Sequence, residues 1–320
     1  MAAKPSASAR PRRREHLTGY LYVGPAAVVL GLFFLYPVGY AFYVSLHRWY
    51  LTKQAFIGFD NYLYALGDEE FGRSLLVTAY YVLGTVPVSL GLALLAANLL
   101  SRPLRGRAVY RTIYFLPYVT SVVAAASVWV WIFYPANWGL ANALMRGLGL
   151  AEQAWIEDPR GVLQLLGGAV GLSVPSWAGG PSLALVVIIL FSVWHSVGFD
   201  TVVLLAALTA VPKEVYEAAE LDGARGWQRL RHVTVPLISP TLFFLLLVST
   251  IRAFRVFGHI YILASKDPER TTHNVTMFIF RTFYESGETG YGSAIALLLF
   301  AIILVVTLVQ IRVVGRRVHY

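Results

Sequence analysis

The sequence contains no cysteine in its 320 residues, which excludes a disulfide framework and any thiolate metal centre. Its seven histidines are scattered, without the spacing of a metal site. Charge is scarce as well. Asp, Glu, Lys and Arg make up 13% of the chain, against roughly 25% in a soluble domain. There is no P-loop, no Gly-rich phosphate cradle, no pair of catalytic carboxylates and no internal repeat. GLGL at 147–150 and the GG pairs are loop material. No catalytic and no metal-binding residue is therefore assigned.

Apolar residues are what the chain has in excess: 57% of it is hydrophobic and the mean hydropathy is +0.62. A transmembrane helix needs about 20 mostly apolar residues. Windows free of charge occur at 17–47, 74–101, 112–145, 161–199, 232–251 and 289–311. They predict an all-α polytopic bundle of six transmembrane helices, at 19–46, 74–100, 109–134, 182–210, 237–264 and 290–313. The fourth accommodates Asp200, the fifth Arg252 and Arg255. A basic tail at 1–16 precedes the first span at 17–47, and a core follows at 73–313. The first apolar run is too long for a signal-peptide core and no small-residue cleavage site follows it, so it reads as uncleaved.

The net charge of +9 does not point to nucleic acid, because the basic residues flank the apolar spans. Lys and Arg number sixteen over the N-terminal tail, the 101–111 loop, the 211–236 loop and the C-terminus, against eight on the opposite side. This bias predicts that both termini and the 211–236 loop lie in the cytoplasm. Residues 161–180 are apolar but broken by Gly and Pro. A crossing there would place the Arg-rich C-terminus outside, so the segment is expected to re-enter or lie on the external surface.

The 211–236 loop gathers Lys213, Glu214, Glu217, Glu220, Asp222, Arg225, Arg229 and Arg231 between two apolar segments. Pro212 suits the opening of a helix, and Lys213 to Leu221 are mostly good helix formers. Gly223 predicts a left-handed stop. A second short helix from Trp227 to Val235 leads to Pro236. A charged, helical connection of this kind suits contact with a soluble partner.

Glu217-Ala218-Ala219, then Asp222-Gly223-Ala224, then Pro236 and Pro240 resemble the EAA coupling loop of ABC importer permeases. Further matches are GPAAVVLGLFFLYPVGYAFYVSL at 24–46, GFDNY at 58–62, FLPYVTS at 115–121, WHSVGF at 194–199 and TFYESGETGYGSAIALLLF at 282–300. They are similar to the carbohydrate branch of that family, the maltose and glycerol-3-phosphate type, from about Tyr20 onward. The resemblance implies a type I importer bundle in a bacterial or archaeal cytoplasmic membrane. It implies a second permease subunit, two ATPase subunits that bind ATP and Mg, and an extracytoplasmic solute-binding protein. It gives Glu217, Ala218, Ala219, Asp222, Gly223, Ala224 and Pro236 the ATPase-coupling role, and no cofactor to this chain. Against the family pattern, 161–180 looks like an insertion of about 20 residues.

Charges inside the membrane form a second constellation. At 1.5 Å per residue, Asp200 and Arg252 both lie about 15–18 Å from the cytoplasmic helix ends, and Arg255 lies one turn higher. Asp200 can therefore pair with either arginine. Sugar permeases often carry Asn and Gln near Asp200 and Arg255, so the charges here imply either a structural pair or a pathway for an anionic solute. Trp194 and Phe199, in the same helix as Asp200, complete the candidate pathway. A secondary transporter would need repeats and paired broken helices, and an intramembrane enzyme a reactive cluster beyond His195 and Asp200. Neither explains the EAA loop.

Overall fold

The structure, a computed structural model, describes residues 12–50, 52–101, 105–135, 138–175, 178–267 and 269–318. Residues 1–11 of the basic tail, and with them Lys4 and Arg10, lie outside the described residues.

The first span is one rod. Helix α1 (Arg12–Leu30) passes through a π-turn (Gly31–Leu35) into α2 (Tyr36–Ser45). The π-turn directly precedes Pro37, whose missing N–H and bulky ring cannot continue a regular ladder. The apolar window of this rod is unburied, and α2 packs chiefly on the last helix of the chain.

An antiparallel hairpin follows, β1 (His47–Tyr50) and β2 (Thr52–Phe56), with a bulge between Arg48 and Trp49. The all-helical expectation missed it. Its strands have four and five residues, too few to show alternation against the long apolar runs. After α3 (Asp60–Gly67) comes α4 (Glu69–Leu100), opened by the Asp68 carboxylate, which accepts from the N–H groups of Glu70 and Phe71 at 2.8 and 3.4 Å.

The expected third helix is broken. Helix α5 (Arg107–Val119) and α6 (Val122–Ile132) meet at 94°. Thr120 and Ser121 leave the helical region, and Pro117 sits in the last turn before them. Then come α7 (Leu140–Gly147) and α8 (Val162–Ala169). The 161–180 segment does not cross the bundle. Gly161 bridges Ser182, and the Gly179 carbonyl accepts from Leu163 N–H at 3.0 Å, so the segment leaves and returns at one point.

Helix α9 (Leu183–Ala210) is the central strut, packed along α4 and α5. A Cβ at Gly198 would sit 1.9 Å from the Tyr114 carbonyl oxygen, so only glycine lets α5 approach this closely. The 211–237 loop contains α10 (Lys213–Leu221), α11 (Trp227–Arg229), a π-turn (Leu230–Thr234) and α12 (Val235–Leu237). The chain then bends by 75° into α13 (Ser239–Phe254).

The expected fifth helix does not run to 264. Residues 255–257 interrupt it before α14 (Gly258–Leu263). Irregular backbone at membrane depth needs side-chain partners. Buried Asn274, the cap of α15 (Val275–Tyr284), donates to the Val256 carbonyl at 2.8 Å. Thr276 donates to the Phe254 carbonyl at 3.3 Å. Helix α16 (Thr289–Val313) closes the fold. Among the described residues, four helices are long and apolar enough to cross a membrane, and up to six spans result if each bent pair counts as one.

Candidate functional site

Between the two breaks lies a cavity of about 360 Å³ in the middle of the bundle. Helix α4 contributes Tyr81, Thr85 and Ser89, α5 Tyr118, and α9 Ser192, His195 and Ser196. Ser249 and Arg252 of α13 and His259 of α14 complete the wall. The helix ends at the two breaks border it, through Tyr118 and Val122 at one and Arg252 and Val256 at the other.

Two polar clusters meet its wall, and Asp200, wholly buried, lies behind the second. In the first, the Tyr81 hydroxyl donates to Ser192 Oγ at 2.8 Å, and His259 Nε2 lies 2.8 Å from that oxygen and 3.2 Å from the tyrosine. In the second, Ser89 donates to Asp200 Oδ2 at 2.9 Å and lies 2.9 Å from the Ser196 hydroxyl. Arg252 Nη2 stands 3.6 Å from Asp200 Oδ1. The contact is ionic rather than a hydrogen bond. Asp200 Oδ1, Arg252 Nε and His195 Nε2 are buried without a hydrogen-bond partner. The guanidinium lies over Phe199, 5.1 Å from the ring centroid, and Phe199 stacks on Tyr118 at 4.8 Å.

The pairing left open by the sequence is therefore Asp200 with Arg252. Arg255 caps α13 and is exposed, away from Asp200. Trp194 packs on Trp129 and Phe191, at 5.7 and 5.9 Å, and does not border the cavity. His195 borders the cavity, whereas Asp200, five residues on, is wholly buried and meets the wall through Ser89 and Arg252. Tyr81, Tyr118, Ser192 and His259 were missed by sequence reasoning. The hydroxyls and imidazole sit singly in apolar helices, and only tertiary packing brings them together.

At the end of the bundle where α4 finishes and α13 begins, the first arm of the 211–237 loop stands clear of the core, while Leu230 and Thr234 anchor the second. Helix α10 has no buried residue. Glu217 and Ala218 are exposed, Ala219 and Ala224 half-buried. The helix stops as its glycine requires. Gly223, at φ +81°, donates to the Glu220 carbonyl at 3.1 Å, and Ala224 to the Ala219 carbonyl at 2.9 Å. This crossed pair is a Schellman stop, with Asp222 as the C-cap. Arg229 lies over the Tyr216 ring, 5.7 Å from its centroid, and ties the two arms together. Pro236 follows the second π-turn, as Pro37 follows the first. Leu221 is 90% exposed and Trp227 68%, which leaves two large apolar side chains open beside the charged ones.

A bundle of apolar, bent helices around a central cavity, with an exposed charged loop at one end, suits a membrane permease. The chain belongs to the family described as binding-protein-dependent transport system inner membrane components, which matches residues 89–320. It is similar to the trehalose/maltose transport system permease protein of Thermococcus litoralis, at 34% identity over 94% of both chains. The sn-glycerol-3-phosphate transport system permease protein of Agrobacterium fabrum is 32% identical, over 94% of this chain and 96% of that one. In fold it resembles a bacterial ABC transporter that imports the acidic polysaccharide alginate, with TM-score 0.76 at 22% identity, covering 95% and 96% of the two chains. The chain is thus a membrane-embedded permease subunit of a binding-protein-dependent ABC importer.

Proposed function

We propose that the solute is a sugar or sugar derivative and that it passes through the cavity above Asp200 and Arg252. The observation that carries this reading is the lining of that cavity, where the Tyr118 ring stands beside the polar side chains of His195, Ser196, Ser249 and Arg252. Hydroxyl groups satisfy such donors and acceptors, and an aromatic face accepts the C–H side of a sugar ring. The carbohydrate transport of the trehalose/maltose relative supports the same reading. The Arg252 side chain in the wall, partly open to the cavity, favours a second reading, in which the solute carries an acidic group.

In the same proposal, the 211–236 loop faces the cytoplasm and couples to ATP hydrolysis. Glu217 meets a basic residue of an ATPase subunit, Ala218 and Ala219 keep the helix narrow enough to enter a cleft, and Asp222, Gly223, Ala224 and Pro236 fix the bend. Two ATPase subunits hold ATP and Mg, a second permease completes the pore, and a solute-binding protein docks outside. The chain itself carries no cofactor. The Arg-rich flanks support a cytoplasmic position for both termini.

The test is uptake into proteoliposomes containing the complete complex, the binding protein and internal ATP. Labelled trehalose, maltose and glycerol 3-phosphate are compared. Uptake of a neutral disaccharide supports the first reading, and uptake of glycerol 3-phosphate alone supports the second. Uptake of none of the three, by a complex that transports an amino acid or peptide instead, sinks both.

A further inference from the structure

GFDNY at 58–62 is a motif with chemistry left over. Asn61 Nδ2 donates to the Ser45 and His47 carbonyls, at 2.7 and 3.2 Å, and the Tyr62 hydroxyl lies 2.6 Å from Ser45 Oγ. These two side chains tie α3 to the end of the first span. Asp60 does neither. Its carboxylate borders a second cavity, of about 390 Å³, at the end of the bundle that carries the hairpin. That size falls in the roughly 300–1,000 Å³ range of ligand pockets.

Its walls come from segments more than 200 residues apart, and they are held firmly. Gly290 packs so closely on the hairpin that a Cβ there would lie 2.2 Å from the His47 carbonyl oxygen. The Tyr291 hydroxyl donates to Asp68 Oδ2 at 2.6 Å, and the Tyr64 ring meets Tyr291 edge-on at 5.0 Å. The Tyr50 hydroxyl donates to Glu288 Oε1 at 3.2 Å. The Glu288 charge raises the Tyr50 pKa, which keeps that proton on the phenol.

The lining selects a ligand class. Trp49, Tyr50, Tyr64 and Tyr291 supply rings. Asp60 and Glu288 supply acceptors and Arg48 a donor. Two acids against one base disfavour a phosphate or carboxylate ligand. The polar rim disfavours a purely apolar one, and among the described residues no group of three metal-ligating side chains exists. A neutral polyhydroxylated ring satisfies both demands, with a C–H face for the Tyr64 ring and hydroxyls for the two carboxylates and the guanidinium.

We propose that this cavity, between the hairpin, α3 and the start of α16, is a second saccharide-binding site on the extracytoplasmic face, separate from the central cavity. It rests on the reading that the importer carries a saccharide. A site there gives solute a foothold on the permease before it enters the membrane.

The test uses the complete complex in lipid nanodiscs, without binding protein, and saturation-transfer-difference NMR with maltose and with trehalose. The wild type is expected to transfer saturation to ring protons of at least one disaccharide. Measured in a Tyr118→Ala background, which removes the ring offered to sugar in the central cavity, Tyr64→Ala and Asp60→Asn should weaken the remaining binding roughly fivefold to tenfold, while Tyr64→Phe retains it. Melting temperature of each variant controls for folding. Full signal in both pocket variants, or its loss in Tyr118→Ala alone, overturns the proposal. So does loss of binding-protein affinity in the pocket variants with sugar binding unchanged, which makes the cavity a protein dock. Absence of any signal from a complex that imports the disaccharide in proteoliposomes overturns the second site and leaves sugar import standing. Absence of both removes the sugar reading too.

Discussion

Asp200 is wholly buried and holds two partners of different kinds, the Ser89 hydroxyl and the Arg252 guanidinium. Removing one member of a sealed pair costs about 3–5 kcal/mol. Arg252 keeps 39% of its side chain open to the cavity, so a loss of about 2 kcal/mol is expected for Asp200→Asn or Arg252→Gln. The double neutral variant should recover most of that melting temperature in detergent, and Arg255→Gln should cost little and rescue nothing. A double variant no more stable than either single one would show that the charges do not pair. Transport separates a structural pair from a pathway: uptake retained by the stable double variant marks the pair as structural. Matching depths were legible in the sequence, but the choice between the arginines was not, because it depends on where α13 ends. His273 offers a pH test. Burial, with Arg281 next, lowers its pKa below the ordinary value, against the smaller opposing pull of Asp267 and Glu70 and with Arg270 acting in the same sense as Arg281. The stability tied to the neutral imidazole is present above about pH 6.5, where the unfolded chain is also unprotonated. It is lost as pH falls toward the lowered folded value, because the unfolded chain gains a proton first. Melting of the wild type should therefore decline between pH 7 and 5 more steeply than melting of His273→Gln. Parallel curves would place the acid sensitivity elsewhere.

At the level of elements, the breaks carry the design. Asn274 supports the one at 255–257, satisfying the freed Val256 carbonyl through its amide while its side-chain oxygen caps α15 by accepting from Met277 N–H at 3.0 Å. Asn274→Leu strips both and leaves buried backbone groups unpaired, at about 1–3 kcal/mol per group. A lowered melting temperature is expected, with transport lost beyond what the lower yield explains. Melting within one degree of the wild type would mean that another group takes over. In the 211–237 loop, Gly223→Pro removes a donor from the helix stop and cannot adopt φ +81°. Glu217→Lys reverses an exposed charge and disturbs no packing. Both are expected to insert normally and to lose transport and transport-linked ATPase activity. Unchanged uptake in both would remove the coupling role. This loop was the most legible part of the chain, since helix formers, a glycine and a proline each act locally there. The breaks at 120–121 and 255–257 were not legible. Apolar residues continue straight through them, and the signals that fix them, Gly198 opposite α5 and Asn274 below α13, lie far along the chain.

The molecule as a whole has the breadth of apolar surface expected of a subunit that works among others. Purified in a mild detergent, the native complex should yield this chain together with an ATPase and a second permease. Active uptake by this chain alone in proteoliposomes would overturn that assembly. The order of spans was readable from charge-free windows, and the non-crossing 161–180 segment from the charge of the loops on either side of it. The closure of the molecule was not, because the rod formed by α1 and α2 finds its main helical neighbour in α16, at the far end of the sequence. That arrangement has a consequence in time. A ribosome adding about 5–20 residues per second needs about 12–50 s to travel from the end of α2 to the start of α16. For that interval the first span waits in the bilayer with its docking face open to lipid. Nascent chains halted before α16 should therefore leave α2 accessible to crosslinking with lipid or translocation machinery, and release it only when the last helix arrives.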